Sequence, residues 1–354
     1  MLMETKNTRL KKLLFFGSLI LVFTSSFIIQ HKLYEVEKIN HSSHGMVKNP
    51  IYVSTSSQLK NALEIAKAGD EIILRDGIYI GNFKIPEGNN GTEAKPIFLN
   101  GSSKAILDGN TTQTGYVLHL QSNYWHIKGI SITNGLKGLM CDKANYNVID
   151  SLTIYNIGEE GLHLRQFSTH NILKNNIITN TGIKTADYGE GIYIGMAVSN
   201  WSKYTNGRED RCDSNIVVGN KIGPGITAEC IDIKEGTTGN MIVNNIFDAE
   251  GITGANSGDS WMDVKGNGTL IEGNTGYNKA GSILKDGYQV HCAVQGWGNN
   301  NIFRNNICEV YAAGYGFNIV EKSSKGNATG NKVYKNNKVV GAESGVCNVE
   351  MVGN

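Results

Sequence analysis

The string Asn171-Ile172-Leu173-Lys174-Asn175-Asn176-Ile177 returns along the chain in recognisable copies. Among them are Asn147-Val148-Ile149-Asp150, Asn215-Ile216-Val217-Val218-Gly219-Asn220 and Asn240-Met241-Ile242-Val243-Asn244-Asn245-Ile246. Later copies begin at Thr269, Asn301 and Asn331, and an earlier one at Trp125. Neighbouring copies lie 22 to 32 residues apart, with one gap of 44 between Asn171 and Asn215. A repeat this short cannot bury its own apolar face. Each copy must stack on the next, so the period restricts the fold more than any single motif does.

A second line interleaves with the first. It reads Gly138-Leu139-Met140-Cys141, Gly161-Leu162-His163-Leu164, Gly191-Ile192-Tyr193-Ile194, then Cys230-Ile231-Asp232-Ile233-Lys234 and Trp261-Met262-Asp263-Val264-Lys265, then Gly287-Tyr288-Gln289-Val290. Two or three short strands per repeat, without helices, predict an all-β parallel β-helix. A propeller blade would need a longer repeat with hairpins, and a leucine-rich repeat would show its Leu spacing. Asn at one place in each turn predicts amides stacked along the axis. One amphipathic helix is predicted over residues 54–70, with Ser56 or Ser57 at its start and Gly69 at its end. Short strands follow at Glu71–Leu74, Gly77–Ile80, residues 96–99 and residues 105–107.

Only 18% of the 354 residues are charged and the net charge is +1, which argues against a nucleic-acid partner. The six cysteines are scattered without a CxxC pair, so a zinc site is not expected; Cys141 and Cys230 read as packing residues. Arg9, Lys11 and Lys12 precede an apolar run over residues 13–29. That pattern predicts a signal peptide or signal anchor over residues 1–30, a linker over 31–49 and one domain over 50–354. The domain would then lie outside the cytoplasm, secreted or attached to a membrane through residues 13–29, and is expected to be monomeric.

An amphipathic helix, short strands and then NxIxxNxI lines resemble the pectate-lyase-type right-handed parallel β-helix superfamily. The resemblance spans roughly residues 50–354 and implies a single-stranded right-handed solenoid with an N-terminal capping helix. The superfamily includes polysaccharide lyases, glycoside hydrolases, uronate epimerases, adhesins and phage tailspikes, so fold alone does not choose the activity.

Aligning the second line by its glycines puts its outward side chains into two columns. One runs Met140, His163, Tyr193, Asp232, Asp263, Gln289; the other runs Asp142, Arg165, Gly195, Lys234, Lys265, His291. Strands stack about 4.8 Å apart, so the columns pave one continuous groove. The turn before these strands adds Glu160, Glu190, Glu229 and Asp286. The longest insertion, residues 196–213, carries Trp201 and Tyr204, which are expected to overhang the groove and stack on a sugar.

This mixture suits β-elimination at a uronate, where a base takes the C5 proton while a cation neutralises the carboxylate. The resemblance implies a Lys or Arg base. Lys234 and Lys265, one strand apart, are the candidates, one of them expected to have a lowered pKa from its like-charged neighbour. The other, with Arg165, would hold the carboxylate, and His291 or Tyr193 would assist proton transfer. His163 and Gln289 join Trp201 and Tyr204 as expected substrate contacts. Asp232, Asp263 and Glu229 are the candidate ligands for a calcium ion. The expected partner is an acidic polysaccharide. Three other readings share the groove: a hydrolase using Asp232 and Asp263 as paired carboxylates, a uronate epimerase, and a carbohydrate-binding adhesin without catalysis. The Asn-x-Asp, Asp-Asp, Gly-His-Gly and Arg-x-Lys set of polygalacturonase-like hydrolases is not found.

Overall fold

Each turn of the chain contributes one short strand to each of three parallel sheets, as seen in a computed structural model that describes residues 50–279 and 282–353. The expectations for residues 1–49 fall outside these residues. Among the described residues, no helix is long and apolar enough to cross a membrane. The first sheet has 11 strands, from Ile51–Val53 to Lys332–Val333. The second has 10, from Phe83–Ile85 to Gly345–Cys347, and the third has 10, from Gly77–Ile80 to Lys338–Ala342. Successive strands in each sheet are one turn apart in sequence, which makes the architecture a right-handed parallel β-helix. An antiparallel hairpin, Lys322–Ser323 with Gly326–Asn327, stands outside the three sheets.

The inward side chains fill one continuous apolar core. Ile127, Ile149, Leu173, Val217, Ile242, Ile271 and Phe303 follow one another up the first sheet and are each fully buried. Near the C-terminal turns the core becomes aromatic, with the Tyr288 and Phe317 rings stacked 5.1 Å apart. The six cysteines are free thiols; Cys141, Cys212, Cys230, Cys292 and Cys308 are buried packing groups.

The predicted helix is shorter than its apolar stripe suggested. It spans Ser56–Ile65, and Thr55, not Ser56 or Ser57, caps it by accepting from Gln58 N at 3.2 Å. Gln58 turns back to accept from Ser54 N at 2.9 Å, which fixes the entry. Gly69, at φ +92°, belongs to the turn into the next strand and not to the helix end. Leu59, Ala62 and Leu63 bury against the first turns, so the helix covers the N-terminal part of the core.

Asn plays two roles in each turn, and the doublet Asn175-Asn176 shows both. Asn175 is exposed and has φ +57°. The equivalent residue in later turns is Gly219 at +66°, Asn244 at +53°, Gly273 at +67° and Asn305 at +57°, so this position selects residues that tolerate left-handed backbone. The second Asn is buried in a ladder. Asn176 Nδ2 donates to Asn220 Oδ1 at 2.9 Å, Asn220 to Asn245 at 2.9 Å, Asn245 to Asn274 at 2.9 Å and Asn274 to Asn306 at 3.1 Å. A separate ladder runs through Asn147, Asn171, Asn215 and Asn240 on the other flank of the first sheet. The sequence suggested one ladder; the described residues place these two on opposite flanks of the first sheet. The second breaks at Thr269, whose shorter side chain leaves the Asn240 amide nitrogen without a protein partner.

Each ladder amide satisfies backbone groups in the turns that flank it. Asn220 Oδ1 accepts from Asn176 N, while its Nδ2 also donates to Leu173 O. Asn220→Ala therefore strands several buried polar groups at about 1–3 kcal/mol each. Chemical denaturation should show a loss of about 3 kcal/mol or more, whereas Asn175→Gly should be nearly neutral.

Candidate active site

The second sheet carries the groove. Its register pairs Met140 with His163, His163 with Tyr193, Tyr193 with Asp232, Asp232 with Asp263 and Asp263 with Gln289. The first predicted column is therefore real, and it extends to His119 on one side and Asn318 on the other. The second column follows from the same register. Asp142 pairs with Arg165, and Lys234 N donates to Ile194 O, Lys265 N to Ile233 O and His291 N to Val264 O. Ile231, Ile233, Met262 and Val264 point inward and are fully buried, which fixes the outward direction of Asp232, Lys234, Asp263 and Lys265.

At the centre the charges form a chain. Lys234 Nζ lies 2.5 Å from Asp232 Oδ2, and Lys265 Nζ bridges Asp232 Oδ1 at 2.9 Å and Asp263 Oδ2 at 2.6 Å. His291 Nδ1 completes it, 2.8 Å from Asp263 Oδ1. Burial alone would depress a lysine pKa. Here Asp232 outweighs that penalty, with help from Glu190 at Lys234 and from Asp263 at both, and both lysines are held above the ordinary range. The expectation that mutual repulsion would lower one of them is thus corrected: Asp232 between the ammonium groups, with Asp263 beyond Lys265, reverses its sign. Asp263 moves down for the complementary reason, since Lys265 and His291 overcome its burial. Burial would likewise lower the His291 pKa, but Asp263 raises it.

Tyr193 sits one rung before Asp232. Its ring packs edge-on against His163 at 4.4 Å and lies 5.0 Å below the Lys234 ammonium. Burial, then the negative charge of Asp232 and Glu190, pushes its pKa well up, so the phenol keeps its proton. Among the described residues the hydroxyl has no hydrogen-bond partner, and the side chain lines a cleft of about 250 Å³. Arg165, His163, Glu190 and Tyr204 line the same cleft, as do Tyr116, Lys137 and Tyr188, which the sequence did not single out.

The insertion over residues 196–213 is pinned at both ends. Val198 N donates to Glu235 Oε1 at 2.7 Å, and Asp210 accepts from Gln166 N at 3.0 Å and Phe167 N at 2.8 Å. Trp201 does not overhang the groove. Only 8% of it is exposed, and its Nε1 donates to Met196 O at 2.9 Å, because the indole serves as the apolar anchor of the loop. Tyr204 does reach the cleft, under the Arg165 guanidinium at 4.4 Å.

Solved structures place the chain among known folds. An alginate lyase from Paenibacillus sp. str. FPU-7 matches with 41% identity and a TM-score of 0.75, over 85% of this chain and 99% of that one. The chain belongs to the pectate-lyase-like right-handed parallel β-helix superfamily. The model of the Pel9A-like right-handed β-helix region also matches, over residues 34–193. Two superfamily members with lower identity share the fold: pectate lyase Pel9A at 15% and TM-score 0.54, covering 80% of this chain and 79% of its own, and a rhamnogalacturonan lyase at 12% and 0.58, covering 85% and 89%. No curated protein matches the chain.

The remaining predicted residues fall into place around this superfamily groove. His163 supports Tyr193 from below and is nearly buried, its Nε2 donating to Gly195 O at 2.9 Å. Gln289 is equally buried, its amide nitrogen donating to Asp259 at 2.7 Å and Asp286 at 2.9 Å. His163 still lines the cleft, whereas Gln289 is held by its two acids. The predicted calcium set is altered. The carboxylates whose oxygens come within 4.8 Å of one another are Glu190, Glu229 and Asp232, while Asp263 is engaged by Lys265 and His291. Burial, then Asp232, raises Glu229 to about 8, and burial with Glu160 raises Glu190 well up, as expected of carboxyl groups crowded together away from water. The third, Asp232, already faces two ammonium groups. The paired-carboxylate reading of Asp232 and Asp263 meets the same obstacle, since Lys265 bridges them.

Proposed function

We propose that this chain is a lyase that cleaves a uronate-containing polysaccharide by β-elimination, and that alginate is the polymer it is most suited to. The observation that carries the reading is the 41% identity to an alginate lyase across 99% of that protein. A cationic cluster beside a tyrosine hydroxyl with no protein partner supports it.

The chemistry requires three services. The uronate carboxylate must lose its charge so that C5–H becomes acidic, a base must take that proton, and the leaving O4 must gain one. Lys265, held as an ammonium by Asp232 and Asp263, neutralises the carboxylate, with His291 at its side. Lys234 is the base. In the free protein it carries a proton, so it first passes that proton to Asp232, 2.5 Å away. A bound polymer favours this step by expelling water, because a buried ion pair loses its hydration. The C5 proton then moves to Lys234, its electron pair forms the C4–C5 double bond, the C4–O4 bond breaks, and the Tyr193 hydroxyl protonates O4. No step passes through a metal: the lysines deliver the positive charge. A polymer substrate also suits a domain that works outside the cytoplasm.

The test is a screen of alginate, pectate, hyaluronan and chondroitin with residues 46–354, following the ultraviolet absorbance of the unsaturated uronate. Alginate should give absorbing product at a rate that chelation by EDTA leaves unchanged. New reducing ends without absorbance would replace the lyase with a hydrolase. Binding without any product would leave an adhesin.

A further inference from the structure

Arg165 stands apart from the central cluster. In its column it is level with Gly195, and Gly195 is level with Lys234, so Arg165 and Lys234 are two rungs, about 10 Å, apart. The rung between them is bare by necessity. Gly195 has φ +83°, and a Cβ there would lie 2.6 Å from Thr237 Cγ2. Thr237 fills the space over Gly195, so no side chain of this column stands between the guanidinium and the Lys234 ammonium, and Tyr193 lies one residue before it on the same rung.

The guanidinium is held firmly. Asp142, one rung below, accepts from Nε at 2.6 Å and from Nη2 at 3.0 Å, a forked pairing. Asp142 is itself fixed by His119 Nε2 at 2.8 Å. Burial would raise this carboxyl, but His119 and Arg165 bring it down to about 2. The Tyr116 hydroxyl lies 3.3 Å from Nη2, and the Tyr204 ring packs on the guanidinium at 4.4 Å. Asp142 thus holds the Nε–Nη2 edge while the guanidinium lines the cleft. Lys137, the other cation of this part of the cleft, is spent on Glu159 and Glu160.

We propose that Arg165, clamped by Asp142 and flanked by Tyr116 and Tyr204, is a second carboxylate-binding subsite that grips a uronate further along the polymer from the one that reacts at Lys234. The proposal rests on the lyase reading and refines it. Arg165 does not neutralise the reacting carboxylate, as its place in the sequence suggested; it sets where the chain lies. Asp142 is a positioning residue that acts through Arg165.

Steady-state kinetics on alginate test this with Arg165→Gln, Arg165→Lys and Asp142→Asn. Arg165→Gln and Asp142→Asn should each raise KM on the order of 10-fold or more while kcat changes little. Arg165→Lys should recover part of the loss, since it keeps the charge but not the fork. Unchanged KM in Arg165→Gln, or a fall in kcat at constant KM, would overturn the proposal. Melting temperatures guard against misfolding; if Asp142→Asn is unstable, the Arg165 pair decides alone. A wild-type protein that cleaves no polyuronate would defeat the lyase reading itself, before any variant is made.

Discussion

Tyr193→Phe is expected to lose about 10³-fold in turnover on the cleaved polymer. The phenol combines an available proton with a place on the cleft wall beside Lys234. Burial and the neighbouring acids keep it protonated, and its hydroxyl makes no hydrogen bond within the described residues. Removing it should therefore leave stability within about 0.5 kcal/mol. That combination separates a proton donor from a packing residue: a structural tyrosine would show lower stability first and lower kcat only as a consequence. The ring contacts with His163 and Lys234 survive in Phe, so substrate affinity should also persist. Stopped-time absorbance assays and thermal melts of the same preparation measure both quantities. Full activity in Tyr193→Phe would remove the tyrosine from the mechanism and require another donor to O4.

The second large effect is on stability. Asp232→Ala removes the carboxylate that lies between Lys234 and Lys265, and leaves two ammonium groups close together on a buried face. Breaking a buried ion pair from one side costs about 3–5 kcal/mol, because the remaining charge has lost its compensation. The double variant Asp232→Ala with Lys234→Met should be more stable than Asp232→Ala alone, since it removes one of the stranded charges. The pH dependence has a definite sign. The lysines are raised in the folded state, so their contribution is complete below the ordinary lysine range and is lost only as pH rises through the folded values. Asp263 is lowered, so its contribution is present above the ordinary carboxylate range and is lost as pH falls through its folded value. The lysine and Asp263 contributions should be flat from about pH 5 to 9, while that of His291, raised by Asp263, is complete below the ordinary histidine range and is lost as pH rises through its folded value; the advantage over Asp232→Ala should narrow outside the flat window. An equal denaturation midpoint for wild type and Asp232→Ala would show that the cluster contributes nothing to folding.

The groove could be read from the sequence because a solenoid turns spacing into geometry. Once Ile231 and Ile233 were assigned inward, Asp232 and Lys234 had no other direction to face, and the glycine alignment carried the register to Tyr193 and Asp263. Tyr116 and His119 escaped because Val117 occupies the place where later turns have glycine, so their rung did not match the pattern, although it pairs regularly with Lys137 and Met140. Protonation was not legible either. Two lysines one strand apart suggest repulsion on paper, and only side-chain positions show Asp232 inserted between them and Asp263 beyond Lys265. The fate of Trp201 was equally hidden. An aromatic residue in a long insertion suits a sugar platform or a loop anchor, and its burial decides between them.

The bare rung at Gly195 has a wider consequence. Backbone hydrogen bonding fixes the interval between rungs, so the sheet behaves as a graduated scale on which each coil is one division. The separation of Arg165 from Lys234 cannot be tuned continuously by small substitutions; it can change only when a whole coil is gained or lost. Specificity for polymer geometry is then quantised in steps of about 4.8 Å. Variation in a protein of this kind is free in the loops that hang from the scale and discrete along the scale itself.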